Sequence, residues 1–336
     1  MATKKILIIQ TAFLGDVILA TPLIESLSAH FPYTQIDFLL KKGNEALLEE
    51  HPKLRRVLIF DKSNKRKSLL DLIKEIRKEK YDLVLNLHRF ASSGLITVLS
   101  GAKETRGFSK NPFSFFYSKR FKHSITSGQH EVDRNISLIT DITDIQQRRP
   151  QLYPCASDID FVSQWKNEPY YCLAPASVWF TKQAPPAIWQ YVMEKFDEEG
   201  VQFFLLGGPG DHELCEIIKQ ISQRNNVHNL AGKLSLMQSA ALMKDAKRNF
   251  VNDSGPMHLS SAVNVPTVAL FCSTIPDFGF GPLAYQSQVI EVSEKLDCRP
   301  CGDHGKKNCP LGHYACGNHI SSQKMLLAYE ALEASK

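Results

Sequence analysis

The chain has no long apolar run. Its unbroken apolar stretches, such as Val268–Cys272, last only a few residues, far short of the roughly 20 that a membrane-spanning helix needs. Internal repeats and low-complexity tracts are also missing, and disorder, collagen and small disulfide scaffolds are excluded by length and apolar content. Ile6–Ile9 follow two lysines, but Gln10 and Asp16 interrupt them before the apolar core of a secretory leader forms. The expected location is therefore cytoplasmic. Neither Thr11–Val17 nor Gly207–Gly210 spells Gly-x-Gly-x-x-Gly, which disfavours a nicotinamide-dependent dehydrogenase.

What is present is a globular chain of 336 residues, 43% hydrophobic, enough for two domains each with its own core. Charge is unevenly placed. Residues 1–168 hold 26 Lys/Arg against 19 Asp/Glu, whereas 169–336 hold 14 against 16. The excess concentrates between Lys53 and His123, with 18 basic and 6 acidic residues, Arg55 and Arg56 among them. Such a stretch suits an anionic partner: a phosphorylated substrate, an anionic membrane surface or nucleic acid. Of eight cysteines, Cys298, Cys301, Cys309 and Cys316 cluster, with His304, His313 and His319 between and beside them. In a reducing compartment that pattern favours thiols or a metal over disulfides. The first pair has metal-ligand spacing, whereas the second pair is too far apart for the usual motif.

Short apolar runs alternate with longer amphipathic segments, the pattern of βαβ units and parallel sheets. Strands are expected at 5–9, 36–40, 57–60, 83–87, 171–174, 202–206, 249–252 and 267–271. Expected helices cover 16–30, 69–79, 132–142, 186–199, 212–223, 236–244 and 322–334. A polar, proline-containing linker is expected over 145–168. Two α/β halves imply a cleft between them, and open α/β sheets bind ligands beyond the carboxyl ends of their strands.

The informative residues fall in those loops. After the first strand comes Thr11-Ala-Phe-Leu-Gly15-Asp16, where Gly15 allows a close turn and Asp16 is either a helix cap or a general base. Ala174-Pro-Ala-Ser177 with Lys182 offers a hydroxyl and an ammonium for a diphosphate. Gly207–Gly210 leads through Asp211 and Glu213 into a helix, either as an ordinary turn or as a ribose contact. Asn252-Asp253-Ser254-Gly255-Pro256-Met257-His258 runs from a strand into a helix whose N-terminus is suited to phosphate.

With Leu14-Gly-Asp-Val-Ile-Leu-Ala-Thr-Pro-Leu23, Pro266-Thr-Val-Ala-Leu-Phe271 and the motifs above, the chain resembles glycosyltransferase family nine, the ADP-heptose:lipopolysaccharide heptosyltransferases. The resemblance implies the α/β GT-B fold, two Rossmann-like domains whose parallel sheets face a central cleft. Expected boundaries are 1–155 for the acceptor domain and 156–321 for the nucleotide-sugar domain, with 322–336 a helix returning to the first. It further implies an inverting transfer of heptose from ADP-heptose to the Kdo or heptose of a lipopolysaccharide inner core, with Asp16 as base and no cofactor or metal. Ser177, Lys182, Glu213, Leu234, Asp253, Ser254, Gly255 and His258 would bind the donor. Thr11, Gly15, Arg55, Arg56, His130 and Arg134 would face the lipid A-core acceptor. Peripheral contact with the anionic cytoplasmic face of the inner membrane is expected, and no nucleic acid. The chain departs from the family at Gln183-Ala184, where relatives carry Trp-Pro after the lysine, at Cys272-Ser273 and at Ala176. The competing classes are a GT-B enzyme for another nucleotide-sugar and a zinc-containing nucleic-acid-binding protein.

Overall fold

A computed structural model describes residues 4–333, and the chain divides into two compact units, Met1–Tyr153 and Pro154–Lys336. The first holds strands β1 (Lys5–Ile9), β2 (Gln35–Lys41), β3 (Arg56–Phe60), β4 (Leu83–Asn86), β5 (Glu104–Phe108) and β6 (Lys119–Phe121). They form one parallel sheet in the order β3-β2-β1-β4-β5-β6. In β1, Ile6, Leu7, Ile8 and Ile9 are all fully buried, as a strand covered on both faces requires. Burial of each such side chain contributes about 1.5–3 kcal/mol.

The helices of this unit are α1 (Leu14–Ile18), α2 (Thr21–His30), α3 (Lys65–Glu79), α4 (Ala91–Leu99) and α5 (Glu131–Ile136). The single helix expected over 16–30 is thus two. Pro22 has no amide for an earlier carbonyl, and the Thr21 hydroxyl donates to Ile18 O (2.8 Å) at the break. The helix expected over 132–142 stops early and passes into a 3-10 turn, Ser137–Ile139, where the Ser137 hydroxyl bonds back to Arg134 O (2.6 Å). On α3, Leu72, Ile73 and Ile76 are buried against Leu7, Leu39, Leu58 and Tyr81.

The second unit holds β7 (Tyr170–Ala174), β8 (Gln202–Leu205), β9 (Val227–Asn229), β10 (Arg248–Asn252), β11 (Thr267–Phe271) and β12 (Ser287–Glu291). These too form a parallel sheet, in the order β12-β11-β10-β7-β8-β9. Its helices are α6 (Ala156–Ser163), α7 (Pro186–Lys195), α8 (His212–Ser222), α9 (Leu236–Lys244), α10 (Gly255–Val263), α11 (Ala315–Asn318) and α12 (Ser322–Glu333). The core joins Trp189, Tyr171, Phe203 and Phe250 to Met325 of α12. Part of the expected linker is helix α6, which packs on α9. Helix α12 lies against β12, α7 and β11 and clusters with the second unit, not as a segment apart. Residues 334–336 of the expected terminal segment lie outside the described residues. No described helix is long and apolar enough to cross a membrane.

Candidate active site

Each sheet reverses its winding once, at β1/β4 in the first unit and at β7/β10 in the second. The crevice past the carboxyl ends of such neighbouring strands is where doubly wound sheets bind ligands. Polar residues collect at both places.

In the first unit, buried Thr11 follows β1 and buried His88 follows β4. Thr11 Oγ1 and His88 Nδ1 lie 2.8 Å apart. Burial, followed by the charges of Lys62, Arg89 and Lys41, pushes the imidazole down to about 4, so it is neutral at physiological pH. The loop presenting it is shaped by Asn111, whose amide donates to His88 O (2.9 Å) and Phe90 O (3.0 Å). Gly94 makes the room: a Cβ there would stand 2.1 Å from Asn111 Oδ1. Lys62 Nζ donates to Thr11 O (2.7 Å).

Asp16 is the third residue of α1. It is half-buried, and its carboxylate accepts from Phe13 N (3.1 Å), so it is a cap. It is also a perturbed acid. Desolvation, then the nearby Glu131 carboxylate, raise it to about 6, against the lowering effects of backbone hydrogen bonds and Lys41. A carboxylate poised there is ionised at neutral pH yet a stronger base than an ordinary aspartate. Gly15 is a helical residue of α1 with no positive φ, which corrects the expected turn role.

The expected acceptor residues divide. Arg55 and Arg56 stand at the amino ends of the strands, where Arg56 is in register with Asp37. They pair with Asp37, Glu75 and Glu79, at the opposite edge of the sheet from Asp16. This corrects their assignment: a side chain cannot cross the sheet's length to reach that loop. Arg134 is 2% exposed and spent internally, on Glu131 (2.7 Å), Ser124 O (3.1 Å) and Gln129 O (2.6 Å). His130 begins α5, where its Nδ1 accepts from Val132 N (3.1 Å). Lys41, Lys62 and Arg89 are cations at the carboxyl edge close to the pair of Thr11 and His88, and sequence reading passed over them along with His88. Their signal was position: each lies at the end of a strand or just after one.

In the second unit Lys182 and Asp253, two of the residues expected to bind the donor, meet. Asn252, at the end of β10, donates to Pro175 O (2.6 Å) and accepts from Ala184 N (3.0 Å), so one buried amide shapes the loop from Pro175 through Lys182. Half-buried Ser177 lies in that loop. Lys182 Nζ meets Asp253 Oδ2 at 2.6 Å, and Thr274 donates to the same oxygen (2.6 Å). Ser254 turns its hydroxyl toward Asn252 O (3.4 Å) and does not cap α10, which starts at Gly255. His258, on its first turn, is buried.

The Gly207–Gly210 segment is a built turn: Asp211 accepts from Gly208 N (2.8 Å), and a Cβ on Gly207 would stand 2.7 Å from Asp211 Cβ. Glu213 is exposed on the first turn of α8. Half-buried Leu234 lies in the loop before α9, and that loop touches the turn through Gly232 N→Gly207 O (2.9 Å).

Cys298, Cys301, Cys309 and Cys316 line one cavity of about 280 Å³ with His313. Among the described residues, no three His, Cys, Asp or Glu side chains are gathered to hold a metal ion. His319 is engaged with Glu294.

Two parallel α/β units in tandem, each with polar residues at the switch point of its sheet, are the components of a GT-B fold. A solved glycosyltransferase family 9 structure from Veillonella parvula matches 99% of this chain and 98% of its own, with TM-score 0.83 and 25% identity. The Escherichia coli ADP-heptose lipopolysaccharide heptosyltransferase II matches in fold over 98% of each chain, with TM-score 0.78 and 23% identity. Lipopolysaccharide heptosyltransferase 3 of Escherichia coli is 29% identical over 279 residues, 78% of this chain and 82% of the relative. Lipopolysaccharide heptosyltransferase 1 of Pseudomonas aeruginosa is 24% identical over 325 residues, 91% and 87%. The model of glycosyltransferase family 9 (heptosyltransferase) matches residues 69–314, and the chain belongs to that family.

Proposed function

We propose that this enzyme transfers heptose from ADP-heptose, with inversion at the anomeric carbon, to a hydroxyl of a lipopolysaccharide inner-core precursor. What carries the reading is the family match, with Asp16 placed at the start of α1 just past the carboxyl end of β1. Asp16 takes the acceptor hydroxyl's proton as oxygen attacks the anomeric carbon, and ADP departs. Lys182 exchanges Asp253 for the diphosphate, and Ser177, Ser254 and the start of α10 offer donors for the negative charge that grows on it. Asp253 and His258 then hold the sugar side, and Glu213 and Leu234 border the nucleoside. The cations Lys41, Lys62 and Arg89 surround the acceptor loop and suit its anionic groups.

The acceptor is a lipid, and the reading includes peripheral contact with the anionic cytoplasmic leaflet. Supporting it are exposed Phe13, Phe90 and Phe115, each beneath a cation from Lys41, Arg89 and Arg120. Such pairs suit an interface of headgroups and acyl chains.

The test is turnover of ADP-heptose with a Kdo-terminated acceptor, beside calorimetric ADP binding. Asp16→Ala is expected to abolish transfer while ADP still binds, and Lys182→Ala to weaken ADP binding. Near-normal transfer by Asp16→Ala would remove the general base.

A further inference from the structure

The turn that carries Lys182 is gripped from outside by the cysteine-containing segment, where Tyr314 donates to Gln183 O and the buried side chain of Thr181 makes the most bonds. Thr181 is 1% exposed. Its hydroxyl donates to Lys306 O (3.2 Å), accepts from Lys306 N (2.8 Å) and accepts from Ser273 Oγ (3.0 Å). That uses the hydroxyl's one proton and both lone pairs. The backbone of Thr181 adds N→Lys306 O (3.1 Å) and accepts from Ser273 N (3.2 Å).

The next residues along each strand exit repeat the contact. Lys182 and Thr274 meet on the same oxygen, Asp253 Oδ2, each at 2.6 Å. Thr181–Lys182 and Ser273–Thr274 are therefore joined by two rungs, one hydroxyl to hydroxyl and one through Asp253. Gly305 sits on both: a Cβ there would stand 2.9 Å from Lys182 Cγ, 3.0 Å from Thr181 Oγ1 and 3.2 Å from Ser273 Oγ. From the far side Cys301 N donates to Ser273 O (2.7 Å), and Arg299 donates to Cys272 O (2.6 Å) and Thr274 O (2.7 Å).

We propose that Thr181 is a positioning residue for the donor diphosphate, holding Lys182 at the place where phosphate oxygens replace Asp253. The inference rests on the donor reading above. Thr181 does not touch the donor; it acts through Lys182. Without its hydroxyl, Lys306 N and Ser273 Oγ lose their acceptor, the first rung opens, and Lys182 gains freedom that donor binding must then remove.

The experiment is a double-mutant cycle read by calorimetric titration with ADP, with thermal melts as a folding check. Thr181→Val keeps the side-chain volume and is expected to weaken ADP binding about tenfold, one lost buried hydrogen-bond set. Thr181→Ser should restore wild-type binding. In a Lys182→Ala background, Thr181→Val should cause no further loss, because the group it positions is gone. Thr181→Val binding ADP like wild type would overturn the proposal, and so would an undiminished loss in the Lys182→Ala background. Failure of the wild-type enzyme to bind ADP would instead overturn the donor reading and this inference with it.

Discussion

Asp16→Asn should stabilise the first unit at neutral and alkaline pH while it destroys transfer. The carboxyl lies at about 6 in the fold against 3.8 for an unperturbed aspartate, first through desolvation and then through Glu131. The folded state therefore holds the proton more tightly than the unfolded chain does. Below about 3.8 both states are protonated and the group costs nothing; as pH rises through about 6 the fold must carry an ionised, desolvated carboxylate. A shift of about two pH units corresponds to ~3 kcal/mol, reached above about pH 6. Asparagine has no charge to desolvate and keeps an oxygen for the Phe13 amide, now 3.1 Å from the carboxylate. For a unit of this size each kcal/mol moves Tm by ~2–4 °C, so the variant's first unit should melt about 6–12 °C higher near pH 8. Near pH 4 the gain should be almost gone. Scanning calorimetry of both proteins across that range is the assay. An equal or lower Tm for Asp16→Asn near pH 8, or a gain that does not depend on pH, would refute the reasoning.

The same shift sets a kinetic expectation: kcat/KM should rise with pH through about 6 and then level off, since Asp16 acts only when ionised. A profile already flat from pH 5 would place the essential base elsewhere. Arg134→Ala should cost about 3–5 kcal/mol of stability by urea unfolding, because it strips a partner from buried Glu131. An Arg134→Ala protein of normal stability with a raised acceptor KM would return Arg134 to the acceptor site.

Apolar runs in the sequence revealed eight of the strands, because a parallel sheet covered on both faces must be built from them. The four strands that were missed are short or polar: Glu104–Phe108 and Ser287–Glu291 are rich in polar residues, Lys119–Phe121 carries two cations, and Val227–Asn229 has three residues. They are held by neighbours and not by their own composition. The residues proposed for the donor stood out because Lys182, Asp253 and Gly255 sit within compact motifs after strands. The acceptor side was harder to read. Summed charge pointed to Arg55 and Arg56, but charge says nothing about which end of a strand a residue occupies, and both are neutralised by Asp37, Glu75 and Glu79. Buried Arg134 shows the same limit, since its partners Ser124 O and Gln129 O are backbone atoms that no motif records.

Asn252 bridges Pro175 O across 77 residues of chain. In a nascent polypeptide β7 therefore waits for β10, and the loop with Lys182 cannot take its shape until the chain has left the ribosome as far as Asn252, just past the middle of the second unit. Closing so long a loop is slow relative to local helix formation. Nucleotide capture then becomes a late event in biogenesis. On the donor reading proposed above, ADP or its sugar conjugate would bind only molecules in which β7 and β10 have paired, and at saturating concentration would draw slowly maturing ones toward the native state by mass action.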